Sequence, residues 1–482
     1  MKPEKTLLVL TSVLALVALI GLLVPDEGIE VGGVNISLPS PNRFFSDQNE
    51  RRRMSAEDST FYAERTNISD SLTYYRNVVD SSNLRFWLPD PHYFDPLWAN
   101  LSTASSEGRT VRILHYGDSQ IEMDHITSRV RSYMQNTFGG GGPGMMPFRS
   151  ITPSLTVRHD THGDLLHLAS FGDSTVVRSR GNYGIMMQCF RLEGGEAIVS
   201  YRASRSNSVD DRVKSFRKVT LIGFAHSPVN SSLTDRSNKH SYDSHKMPQG
   251  VGKAEWMLDT ASTSVRLSVN GAVDLYCVML DSIAGVAVDN IPMRGCSGQQ
   301  FTMVNKEKLS YAYSQMPVGL IIMQFGGNSV PYFHKTSDVS EYCQSIGRQI
   351  DYVHECCPDA LILFVGPSDM ISRNGKRHTY EIIPELVDSL AATATRHGAA
   401  YWSIYHAMGG ENSMLQWQKQ GLAGSDFIHF TQRGADLMGD LMGEAFDASY
   451  QVYKLEKRNQ SVLERHKSAK SKAKTSKKRR GK

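Results

Sequence analysis

The 482-residue chain is poor in cysteine. It has six, Cys189, Cys277, Cys296, Cys343, Cys356 and Cys357, and none stands in a CxxC pair. This excludes a disulfide-dense scaffold and a thiolate zinc site. The Gly-rich stretch "FGGGGPGMMPF" at 138–148 lacks the Lys-Ser/Thr that a phosphate-binding P-loop requires, and it reads as a flexible wall of a cleft or as a plain loop. His115, His125, His159, His162 and His167 have no metal-ligand spacing and read as solvated or hydrogen-bonded side chains. Net positive charge is missing from most of the chain. The total is +4, but Lys454–Lys482 holds 13 Lys/Arg against 2 Glu, so +11 lies in the tail and −7 remains for the rest. No nucleic-acid partner is expected of such a body.

One long apolar run exists. "TLLVLTSVLALVALIGLLV", Thr6 to Val24, has 19 residues without a charge and follows Lys2 and Lys5. It is just long enough to span a bilayer, and lysines on its short side keep that end cytoplasmic. The expectation is an uncleaved single-pass anchor over 1–25 in the inner (cytoplasmic) membrane, with the rest of the chain on the periplasmic side. A cleaved signal peptide is the rival reading. Residues 26–101 read as a stalk and aromatic lead-in, and 451–482 as a disordered basic tail meeting anionic envelope polymers or lipid headgroups.

From Val111 the rhythm is α/β. "VRILHY" reads as a strand, with Ile126, Val130 and Met134 at helical spacing behind it. "VGLIIMQF", "ALILFVG" and "AAYWSIY" read as further strands separated by helices. These stretches predict a doubly wound parallel sheet built from 102–150 and 282–450. Between them, 151–281 carries short β-like runs with Gly, Ser and Asn breaks, as expected of an inserted β-sandwich. Its aromatics Tyr183, Phe190, Tyr201, Phe224 and Trp256 read mainly as core, with sugar stacking as the alternative.

Gly-Asp-Ser occurs twice, at Gly117–Ser119 and Gly172–Ser174. The first ends a strand and precedes a helical pattern, so Ser119 is placed where open α/β sheets bind ligands, beside the N–H groups of a helix start. The second leads into a strand and reads as a turn. A serine nucleophile needs a base that is oriented by a carboxylate. "GSDFIHFTQRGADLM", Gly424 to Met438, offers Asp426 and His429 in one tight turn. Gly298 in "GCSGQQF" has an N–H that a substrate can approach closely, and Asn328 in "MQFGGNS" follows a strand with an amide able to donate to an oxyanion.

Taken in order, Gly-Asp-Ser, a Gly block, Gly-x-Asn and Asp-x-x-His resemble the SGNH (GDSL) hydrolases. The resemblance implies Ser119 as nucleophile, His429 and Asp426 as its base and orienting acid, and Ser119 N–H, Gly298 N–H (Gly295 being the near alternative) and Asn328 as oxyanion hole. It implies no cofactor and no metal. The β-rich insert of about 130 residues between the Ser and Gly blocks resembles the layout of peptidoglycan O-acetylesterases, whose insert is carbohydrate-binding-like. The expected activity is a serine esterase acting on an O-acetylated envelope glycan. Glycan O-acetyltransfer by the same acyl-enzyme, or non-catalytic glycan binding, are the alternatives.

Overall fold

The computed structural model describes residues 9–13, 15–17, 19–20, 29–31, 34–36, 41–81, 85–172, 178, 181–372 and 377–480. The chain divides into two compact units, Tyr75–Tyr453 and a smaller one formed by Met1–Tyr74 with Lys454–Lys482.

The larger unit is centred on a six-stranded sheet in the order Gly285–Pro292, Thr110–Gly117, Val318–Gln324, Leu361–Gly366, Ala400–Ser403, Phe86–Trp87. The first five are parallel, and the short edge strand is antiparallel. These strands are nearly continuous apolar runs because both faces are covered. Leu114, Tyr116, Ile321 and Met323 point into one core with the helices Lys306–Ser314, Thr336–Cys356 and Ile383–Arg396. Ile113, Leu320 and Ile322 point into the other with Asp95–Ala104, Thr127–Phe138 and the start of Gln432–Arg480. Strand alternation thus assigns each side chain to one of two helical layers.

Between Gly144 and Asp281 the chain forms two antiparallel sheets. They face each other over one core that includes Val199, Leu221, Trp256, Leu267 and Leu275. Tyr183, Phe190, Tyr201 and Trp256 are buried, whereas Phe224 is half-buried with the Lys308 ammonium 3.9 Å above its ring. The Gly-rich stretch is no flexible wall. Gly141–Met146 are buried at the junction of the parallel sheet with the antiparallel ones. Gly142 has φ +87°, and a Cβ there would lie 2.2 Å from Leu280 O.

Several expectations are corrected. Among the described residues no helix is long and apolar enough to cross a membrane. This overturns the anchor over 6–24 and the single-pass inner-membrane location drawn from it. Of that run only short helical pieces, 9–13, 15–17 and 19–20, are described, and the rest lies outside the described residues. The long helices Pro41–Val79 and Gln432–Arg480 are densely charged, which a bilayer core does not accept. Both also replace expected irregular chain: the first occupies the stalk, and the second continues through the Lys-rich tail to Arg480. Neither has an interior proline, and in the smaller unit they pair with each other. Arg458 donates to Glu64 at 2.9 Å, Lys470 lies 3.6 Å from Asp58, and the Phe61 and His466 rings stack at 3.7 Å. Ile68, Leu72 and Val462 are buried there.

The glycine packing is testable by thermal unfolding. Gly142→Ala combines a left-handed φ with backbone overlap and should lose about 2–4 kcal/mol. Gly108→Ala, at φ +68° with nothing within 4 Å of the new methyl, should lose only about 1 kcal/mol.

Candidate active site

The strand Thr110–Gly117 ends beside Gln324 and Pro292 of its two neighbours, so Asp118 and Ser119 emerge at the carboxyl edge of the sheet. The chain then makes a 3₁₀-like turn over Ser119–Asp124, broken by non-helical Glu122 and Met123, and the α-helix begins only at Thr127. The expected helix start at Ser119 is therefore a tight turn. Its cap is Asp118, whose Oδ1 accepts from Gln120 N at 3.0 Å.

Gly424–Phe430 supplies the second half of the site. Asp426 Oδ1 accepts from the N–H groups of Ile428 and His429, both at 3.1 Å, and Phe427 between them has φ +58°. This Asx-type turn folds the His429 ring back onto its own carboxylate, with Nδ1 to Asp426 Oδ2 at 2.7 Å. A carboxylate only accepts, so Nδ1 carries the proton, and neutral His429 accepts through Nε2 from Ser119 Oγ at 2.8 Å. Burial alone would raise the Asp426 carboxyl. Hydrogen bonds from His429 and from the Ile428 and His429 backbone outweigh it and hold Asp426 below the usual range.

Gln120, which the motif reading passed over, locks the two halves in register. Its Nε2 donates to Ile428 O at 2.7 Å, and its Oε1 accepts from Phe430 N at 3.2 Å. The only signal in the sequence was its place next to Ser119.

A cavity of about 210 Å³ opens above Ser119, lined by residues that follow three parallel strands, among them Asn328 and Pro367, together with His429. Asn328 thus reaches the cavity that Ser119 lines. Its Nδ2 donates to Asp118 Oδ2 and to Cys296 O, each at 3.1 Å, so both amide protons are engaged. Gly298 stands at φ +83°, and its N–H donates to Cys296 Sγ at 3.4 Å. The near alternative Gly295, at φ +73°, has open space around it. Asp173–Val177, which hold the second Gly-Asp-Ser serine, lie outside the described residues. His115 is a structural histidine, buried between Gln324 Oε1 at 3.1 Å and Thr127 Oγ1 at 3.0 Å, and burial pushes it down to about 4.

With this geometry in view, the comparisons with known proteins can be read. No family model matches the chain, and no curated protein matches it. Among solved structures, a peptidoglycan O-acetylesterase superposes with a TM-score of 0.58 at 21% identity, over 73% of this chain and 95% of that one. The two share a fold. A family two carbohydrate esterase from Clostridium thermocellum, solved with cellohexaose, gives 0.25 at 9% identity over 58% and 97% of the chains. A Corynascus thermopiles (Myceliophthora fergusii) carbohydrate esterase family 2 enzyme with its carbohydrate-binding domain gives 0.26 at 11% over 59% and 99%. Similarity at these two scores carries no argument.

Burial pushes the Asp118 carboxyl up to about 6, against opposing hydrogen bonds from Gln120 N–H and Asn328. Its folded value exceeds the unfolded one, so the native state binds the proton more tightly, and stability falls as pH rises through that interval. Wild type should lose roughly 1–3 kcal/mol between pH 4 and 6 from this group. In Asp118→Asn, denaturant unfolding across the same range should lack that component.

Proposed function

We propose that the chain is a serine esterase that removes O-acetyl groups from a glycan, with peptidoglycan as the first substrate to test. The observation that carries this reading is the unbroken hydrogen-bond chain Ser119 Oγ–His429 Nε2, His429 Nδ1–Asp426 Oδ2, at 2.8 and 2.7 Å in a solvent-accessible cleft. Distant segments meet there in an order of roles that acyl transfer requires. The fold shared with a peptidoglycan O-acetylesterase supports the substrate class.

In the proposed cycle, His429 takes the Ser119 hydroxyl proton as Oγ attacks the acetyl carbonyl. Asp426 holds the imidazole in the productive tautomer and stabilises the imidazolium. The tetrahedral oxyanion is met by the Ser119 N–H, by the Gly298 N–H, which gives up its bond to Cys296 Sγ, and by Asn328, which exchanges one of its two resting hydrogen bonds for the new one. His429 then protonates the departing sugar oxygen, and water, activated by His429, releases acetate from the acyl-enzyme.

Hydrolysis of 4-nitrophenyl acetate and of O-acetylated peptidoglycan by the purified protein tests this. Ser119→Ala and His429→Ala should each lower kcat/KM by roughly 10³–10⁶-fold, and Asp426→Asn by about 10⁴-fold. Ser174→Ala should match wild type. Full turnover in Ser119→Ala would overturn the reading. Acetylated sugar acceptor in place of free acetate would convert it to O-acetyltransfer by the same acyl-enzyme.

A further inference from the structure

A second cavity, of about 100 Å³, lies beside the first. The 3₁₀ turn runs from one to the other: Asp118–Gln120 line the catalytic cavity and Glu122–Asp124 line its neighbour. The far wall comes from the antiparallel sheets and their connections, including Met145, His159, Phe171 and Met186. We propose that this cavity is a second sugar subsite, holding the ring that adjoins the acetylated one, so that the substrate is a chain and not a single sugar. The proposal rests on the esterase reading of Ser119 and adds the substrate's length and the residues that grip it.

Two residues that line the cavity, Glu122 and His159, point to a ligand. Glu122 Oε1 and His159 Nδ1 are buried and have no hydrogen-bond partner among the described residues. They come from separate elements, the 3₁₀ turn and the strand Val157–His162. A buried polar atom left unpaired costs about 1–3 kcal/mol, which a ligand with matching groups recovers. The other Glu122 oxygen, Oε2, lies 3.4 Å from Arg294 Nη1, which steadies the carboxylate.

The backbone that carries Glu122 is strained and firmly held. Met123, Asp124 and Ile126 have φ of +58°, +70° and +57°, and a β-branched residue rarely occupies that region. Buried Arg131 clamps Asp124 through two hydrogen bonds, at 2.6 and 2.9 Å, and donates to Val288 O at 2.7 Å. Asn290 Nδ2 donates to Ile121 O at 2.9 Å. A pyranose presents a rim of hydroxyl or acetamido donors and two C–H faces. Acceptors at the rim and thioether and aromatic walls across the faces suit it.

The test compares kcat/KM for O-acetylated chitotetraose with that for O-acetylated N-acetylglucosamine, alongside calorimetric binding of unacetylated chitotetraose. Wild type should favour the tetrasaccharide by about tenfold or more, the size of one net hydrogen bond to a charged group. Glu122→Ala should bring that ratio near one and weaken chitotetraose binding by about tenfold. Should Glu122→Ala fail to fold, His159→Ala in the separate strand carries the same expectation. Equal kcat/KM for the two esters in wild type overturns the proposal, as does an undiminished ratio in a folded variant. If no acetyl ester is cleaved, the esterase reading fails by itself. Chitotetraose binding that Glu122→Ala weakens then still supports the subsite, and its absence overturns it.

Discussion

The arrangement depends on one register: the turn that begins at Ser119 must lie alongside the turn that ends at Phe430. Gln120 sets it by bonding both a carbonyl and an N–H of the opposite turn with one side chain. Its two contacts bracket His429 in sequence, so a shift of one residue in either turn would carry the ring away from Ser119 Oγ. The Asp426–His429 turn is internally fixed by three hydrogen bonds to one carboxylate. It moves as a unit, and the amide of Gln120 decides where that unit sits.

The electrostatics of the site are divided between two aspartates. Asp426 is partly exposed and well solvated by N–H donors, so it stays ionised and can hold a cationic imidazole. Asp118 is buried under the same nucleophile and is pushed toward neutrality. It occupies one proton of the Asn328 amide. The two carboxylates thus acquire different chemistry, one from burial and the other from the hydrogen bonds it accepts.

The antiparallel sheets bear on the site through the same turn. Residues 118–126 join the strand Thr110–Gly117 to its helix, and they place Ser119 at the first cavity and Glu122 among the residues lining the second. Their unfavourable dihedral angles persist because buried Arg131 and Asn290 hold them from beneath. The Gly-rich run contributes differently. By letting backbones approach closely it brings Met145 and Met146 to the second cavity's wall.

Much could be read from residue order alone. Near-continuous apolar stretches located the strands at 110–117, 318–324, 361–366 and 400–403, because burial on both faces leaves few polar positions. Residue type and spacing singled out Ser119, Asp426 and His429, since a three-residue separation lets one carboxylate hold its own histidine. What sequence could not carry was anything settled by partners far along the chain. The basic tail is helical because its charges meet Glu64 and Asp58, about 400 positions away. The Gly-rich stretch is buried because Leu280 and Val286 close over it. The apolar run at 6–24 looked long enough for a bilayer, but length and hydropathy are local properties, and among the described residues they did not amount to a spanning helix. Gln120 and Glu122 stood in full view beside Ser119. Only the packed structure gave one a loop to clamp and the other a cavity to face, because hydrogen-bond partners are assigned by three-dimensional neighbours and not by adjacency in the chain.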